Sequence, residues 1–259
     1  MYFNNFKIVD IKRKFTKEEA LSDISKLLKV LVEAPPDPFM NSGSRIKFYM
    51  NVDNILNTLP ETLNIEQMYI IACKIVALLG DCHTSMDLRF NTGKIWLELE
   101  PIDEKLVVIG VYKNELKCLI GQYLLAVNYV PVEELLTKMP EIRAANGIYN
   151  NLVHLADAIK NPFTILLLTG NNNGDIKKVT FTFRSMENNS IQKISLFSSK
   201  EPPGSLIENN SFKFALSKSD LTYKIIDNMI GYLRIGSMTK YRESYESLLN
   251  SGASESLLS

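Results

Sequence analysis

The apolar residues of this chain change period after residue 80, and that change constrains the fold more than any other feature. Before residue 80 they recur at helical spacing in three sets. These are Leu21, Ile24, Leu27, Leu28 and Leu31; then Phe48, Val52, Ile55, Leu56 and Leu59; then Met68, Ala72, Ile75 and Leu79. Each set makes one apolar stripe, and three helices with one stripe each are expected to form a small N-terminal three-helix bundle. From residue 95 the period is two. Ile95, Leu97 and Leu99 alternate with Trp96, Glu98 and Glu100, as in a half-buried strand. The chain is therefore α+β, with a helical part first and a strand-bearing part after it.

Local signals place the boundaries. Thr16-Lys17-Glu18-Glu19 fits a capping box at the first helix, and Asn64 followed by Gln67 starts the third. Pro35-Pro36 and Pro60 stop the first two helices. Leu106 to Tyr112, Tyr123 to Val127, and the alternating Val179, Phe181 and Phe183 read as further strands. Asn128-Tyr129 reads as a turn, with Pro131 opening a short helix through Leu136. Ile142 to Ile159 reads as helical, and within it His154 is a packing or surface residue. Asn161-Pro162 and Gly170 bracket another helix. Asn171 to Asp175 is a polar loop. The polar stretch 186–210, with Pro202-Pro203-Gly204, reads as a linker. Tyr223 to Ile226 and Met229 to Ile235 form a hairpin about Asp227-Asn228, and Tyr241, Tyr245, Leu248 and Leu249 begin a helix. The expected division is a helical domain at 1–90, a β-rich domain at 91–185, the linker, and a further unit at 211–259.

Composition excludes some functions. Lys plus Arg number 29 and Asp plus Glu 29 in 259 residues, so the formal charge is zero. A nucleic-acid partner normally demands a basic excess, so none is expected. No apolar run approaches the roughly 20 residues of a membrane span, so no membrane partner is expected either. The N-terminus is too polar for a signal peptide, and 3 scattered cysteines suit a reducing compartment. The expected location is the cytoplasm for the chain as given, with export left open should a leader have been removed.

The chemistry gathers where the period changes. Gly80 suits the left-handed residue that ends a helix, and Asp81, Cys82, His83 and Thr84 then fall on a turn. A histidine on a loop held by a rigid helix can serve as a general base; a local hydrogen-bonding role is the alternative. Adjacent Cys82 and His83 are expected to diverge, which disfavours a Cys–His dyad. With 2 histidines and 3 cysteines and no paired-ligand spacing, no metal and no other cofactor is expected.

Leu78-Leu79-Gly80-Asp81-Cys82-His83-Thr84 resembles the Leu-Gly-Asp-Gly-His-Thr signature of the tail-specific, or C-terminal-processing, serine peptidases related to the tricorn protease core. Phe15 to Leu21 resembles the start of that family's N-terminal helices. Gly121 to Leu135 resembles its "G-x-x-L-L-x-V-N-G-x-P-V-E-E-L" segment. Ile230 to Ile235 resembles the strand opening its catalytic core. The resemblance implies a PDZ-like β-rich domain at 91–185 and the first strands of a truncated α/β catalytic core at 211–259. It implies His83 as general base in tricorn-like members, supported by Asp81 and Thr84, and a structural His83 in members with a Ser–Lys pair. The departures are Pro35-Pro36 for a His-Pro, Cys82 for a glycine and Tyr129 for a glycine. Cysteine at a positive-φ position would be strained by roughly 1 kcal/mol or more.

No serine here sits in a glycine-flanked strand-to-helix elbow. The expectation is thus an N-terminal fragment of a serine-type peptidase, inactive alone, whose partner is a peptide or an unfolded protein segment. Self-association through the hairpin of the incomplete core is expected as well, because its strand edge and apolar faces are left uncovered. The alternative is a non-catalytic peptide-binding module, whose contact residues the sequence does not single out.

Overall fold

The computed structural model describes residues 13–33, 37–86, 93–170, 178–209, 221–226 and 230–235. The chain divides into two compact units, Met1–Asn209 and Asn210–Ser259. The expected loop at Asn171–Asp175, the turn at Asp227-Asn228, the proline stop at Pro35-Pro36 and the helix begun at Tyr241 fall outside the described residues.

The first unit opens with β1 (Lys14–Thr16) and α1 (Lys17–Glu33), then α2 (Arg45–Asn57), β2 (Thr62–Asn64) and α3 (Ile65–Ala77). Both expected capping boxes form. Thr16 Oγ1 accepts from Glu19 N at 3.2 Å while Glu19 Oε2 accepts from Thr16 N at 2.9 Å. Asn64 and Gln67 make the same reciprocal pair at 2.8 and 2.9 Å. Each pair satisfies two amides that a helix start leaves orphaned. The apolar stripes meet in one cluster built from Ala20, Ile24, Leu31, Phe48, Val52, Ile75, Val76 and Leu79, joined by Leu59 and Leu63. Antiparallel pairing of β1 with β2 ties the starts of α1 and α3 together.

The second cluster lies on a mixed layer of strands and helices. In chain order come β3 (Leu97–Ile102), β4 (Lys105–Val111), β5 (Tyr123–Val127), β6 (Val130–Pro131), α4 (Val132–Lys138), α5 (Ile148–Ala158), α6 (Pro162–Thr169), β7 (Lys178–Arg184), β8 (Ile191–Phe197) and β9 (Ile207–Glu208). The strands pair antiparallel in the order β3-β4-β5-β7-β8, with β6 on β5 and β9 on β4. Phe181, Phe183, Val108 and Leu106 from the sheet pack with Leu135, Leu152, Leu155 and Ile165 from the helices. Burying such side chains contributes on the order of 1.5–3 kcal/mol each.

The structure differs from the linker expected at 186–210. Ile191–Phe197 pairs with β7 along its whole length, and Ile207–Glu208 joins β4. The polarity that suggests a linker belongs to a one-sided edge strand. Ile194 and Leu196 lean on the core while Ile191, Lys193, Ser195 and Phe197 face outward. The second unit contains a hairpin of β10 (Leu221–Ile226) and β11 (Ile230–Ile235), paired Leu221↔Ile235 through Ile226↔Ile230. Among the described residues, no helix is long and apolar enough to cross a membrane.

The Asn128-Tyr129 turn forms, with both residues left-handed at φ 46° and 69°, in a two-residue hairpin loop between Val127 and Val130. Asn128 is anchored there: its Oδ1 accepts from Thr180 N at 2.9 Å and its own N donates to Thr180 O at 2.7 Å. Tyr129 is exposed, with the Lys193 ammonium 5.4 Å from its ring centroid. Asn128→Ala removes a hydrogen bond and puts a Cβ-bearing residue without local bonding in the left-handed region. It is expected to cost about 2–3 kcal/mol, and Asn128→Gly about 1 kcal/mol less, since glycine keeps the turn. Urea midpoints check this order, and a glycine variant less stable than the alanine one contradicts it.

Candidate functional site

The site begins with the end of α3. After Ala77 the backbone tightens through Leu78 and Leu79, and Gly80 takes φ +69°. A Cβ at Gly80 would stand 3.0 Å from Asn41 O, so both the dihedral and the tight space favour glycine. The next four residues form a compact turn. Asp81 Oδ1 accepts from His83 N at 3.1 Å, Thr84 Oγ1 donates to Asp81 Oδ2, and Thr84 N donates to Asp81 O at 3.2 Å.

That turn brings the expected site residues together. His83 Nδ1 lies 3.2 Å from Asp81 Oδ1, and the imidazole side chain is 88% exposed while Asp81 is 36% exposed. With Nδ1–H given to the carboxylate, Nε2 is the ring's free acceptor, the arrangement a general base requires. The bond from Thr84 holds the Asp81 carboxyl below its ordinary range, helped by the His83 amide. Thr84 therefore extends the ionisation of Asp81 to lower pH, and Asp81 orients His83.

Cys82 departs from expectation twice. Its φ is not in the left-handed region, so cysteine stands here without backbone strain. Its side chain also does not diverge from its neighbour: Sγ lies 3.5 Å from His83 Nδ1. The reason is the turn itself, since Asp81 accepting from the amide two residues on folds Cys82 and His83 over one carboxylate. Asn146, from the loop before α5, donates from Nδ2 to Cys82 Sγ at 3.2 Å. Nothing in the sequence pairs residues 82 and 146. Ligand atoms of Asp81, Cys82 and His83 all lie within 4.8 Å of one another. A closed structural zinc site uses four ligands; this trio supplies three from consecutive residues on an exposed turn.

No family model matches the chain, and no curated protein matches it. Among the solved structures that match is a crystal structure of a CPAF mutant, 14% identical, with a TM-score of 0.48. The match covers 70% of this chain and 34% of that one, so the chain spans about a third of that protein. A likeness at this level carries no function across.

The Asp81 turn has a pH signature. A carboxyl whose pKa is depressed by folding contributes stability that is present above its unfolded value, near about 3.9, and lost as pH falls through the lowered folded value. In Thr84→Val the largest cause of the depression is gone. Side-chain carboxyl NMR is expected to show Asp81 titrating below the ordinary range in the parent and closer to it in the variant. Identical titration in the two proteins contradicts the role given to Thr84.

Proposed function

We propose that this chain carries the general-base part of a serine peptidase of the tail-specific type, with His83 as the base, Asp81 as its orienting carboxylate and Thr84 fixing Asp81. The observation that carries the reading is the 3.2 Å approach of Asp81 to His83 Nδ1 on a turn that leaves the imidazole open. In acyl transfer, a base so held takes the proton of a serine hydroxyl through Nε2, and the carboxylate stabilises the imidazolium that forms. The chain offers no glycine-flanked serine elbow to receive that help, and an aligned nucleophile with oxyanion donors accounts for several kcal/mol of the barrier reduction. The 259 residues by themselves are therefore proposed to be inactive. The sheet of the first unit, with its two-residue turn at Asn128-Tyr129 and the short helix that follows Pro131, is proposed as the PDZ-like part.

A second reading has its own support. Among the described residues, the outer edge of β8 has no strand partner, and Ile191 and Phe197 are 56% and 64% exposed on it. An extended peptide can add to such an edge by main-chain hydrogen bonds, with alternate side chains giving selectivity. This is the non-catalytic peptide-binding module.

One experiment addresses both. The chain is incubated with unstructured casein and with a mixed peptide library, and hydrolysis and backbone NMR shifts are followed together. No turnover is expected. Shifts confined to alternate residues of β8 support the module reading, and none at about millimolar peptide count against it. Turnover lost in His83→Ala contradicts the proposed inactivity. In a longer form of the protein that cleaves peptides, His83→Ala is expected to lower kcat by about a thousandfold or more, and unchanged kcat removes His83 from the mechanism.

A further inference from the structure

A cavity of about 410 Å³ lies between α3, α5 and α6, apart from the Asp81–His83 turn, and two buried polar atoms on its wall have no partner. One is Nδ1 of His154, a residue of α5 that is only 3% exposed. The other is Nε of Arg143, on the segment leading to α5. A buried polar group left unmatched costs on the order of 1–3 kcal/mol, so a bound molecule that reaches both atoms is favoured.

Lys94, Arg143 and Lys160 line the cavity with Asp157, and Glu98 pairs with Lys160, so the charged side chains there leave one positive charge over. Lys160 is already neutralised: its Nζ lies 2.8 Å from Glu98 Oε2, and both side chains are largely buried at 19% and 15% exposure. Asp157 faces the same ammonium at 4.0 Å. Glu141, close in sequence to Arg143, is taken by Lys74 at 3.6 Å. The Arg143 guanidinium has no carboxylate partner among the described residues. Met139, Ile142, Ala158 and Leu167 give the wall its apolar part, and Tyr69, Lys94, Asn161 and Thr164 add polar side chains to it. The volume falls in the range of small-molecule pockets.

We propose that this cavity binds an organic monocarboxylate, its carboxylate on Arg143 and His154 and its apolar body against Met139, Ile142, Ala158 and Leu167. A guanidinium presents the planar fork that matches a carboxylate, and such charge-assisted bonds are about twice as strong as neutral ones. A single charge fits better than a double one. Desolvation, and then the Arg143 charge, push the His154 pKa down against the opposing charge of Asp157, so at neutral pH the histidine is a neutral hydrogen-bonding partner; Lys94 is turned to the Trp96 ring at 4.8 Å, which leaves Arg143 as the cation beside His154. The proposal is independent of the reading of His83.

The test uses the whole chain and four probes: sodium hexanoate, sodium benzoate, 1-hexanol as the neutral counterpart, and inorganic phosphate as the anion without an apolar body. Calorimetry gives affinities, and NMR follows the Arg143 Nε and His154 ring signals. Hexanoate or benzoate is expected to bind at about millimolar Kd or tighter and to move both signals, with hexanol and phosphate weaker by about tenfold or more. Arg143→Gln is expected to remove about tenfold or more of the carboxylate affinity while leaving hexanol unchanged, and Arg143→Lys to retain part of it. Circular dichroism confirms that each variant is folded. No shift at either residue with about 50 mM hexanoate overturns the proposal and leaves a merely hydrated cavity. So does phosphate binding as tightly as hexanoate, or carboxylate affinity indifferent to Arg143→Gln.

Discussion

The left-handed backbone at Gly80 is the constraint on which the rest of the site depends. It fixes where α3 ends, because a residue with a Cβ is strained at φ +69° and would crowd Asn41 O at 3.0 Å. It also fixes where the turn begins, so Asp81 is the first side chain past the glycine and His83 the third. The helical cluster lies before this point in the chain and the sheet cluster after it. The polar chemistry thus sits at the junction of two apolar cores while remaining on the surface, with His83 open to solvent.

Competition at one nitrogen decides what the turn can do. His83 Nδ1 has two neighbours, a carboxylate oxygen at 3.2 Å and a thiol sulfur at 3.5 Å. A carboxylate accepts a ring N–H in a charge-assisted bond, whereas a thiol offers only a weak donor. The Asp81 bond therefore wins, and Nδ1 carries the proton. Thr84 strengthens that outcome by bonding the other carboxylate oxygen, and Asn146 donates to the thiol sulfur. The opposite tautomer would leave Asp81 facing a lone pair.

Much of this was legible in the residues, and the failures have physical causes. The capping boxes at Thr16 and Asn64, the left-handed glycines at 80 and 170 and the alternation about Leu97 and Phe181 are local signals that tertiary packing does not override. Strand β8 was hidden because one of its faces is solvated, so its composition matches that of a linker. Tyr129 looked unfit for a left-handed turn, yet Asn128 holds that turn through Thr180, 52 residues away. The convergence of Asp81, Cys82 and His83 on one side of a turn depends on a side-chain-to-amide bond that residue spacing does not encode. The pairing of Arg143 and His154 on one cavity wall comes only from the packing of α5 beside the segment after α4. Such pairings lie beyond any reading of periodicity.

The tautomer of His83 tests the account most directly. Long-range ¹H–¹⁵N NMR on the neutral imidazole distinguishes a protonated Nδ1 from a protonated Nε2. The account requires Nδ1–H in the parent chain and a shift toward Nε2–H in Asp81→Asn, where the carboxylate is gone. A parent spectrum dominated by Nε2–H, unchanged by that substitution, would show that Asp81 does not orient the ring and that His83 is not held as a base.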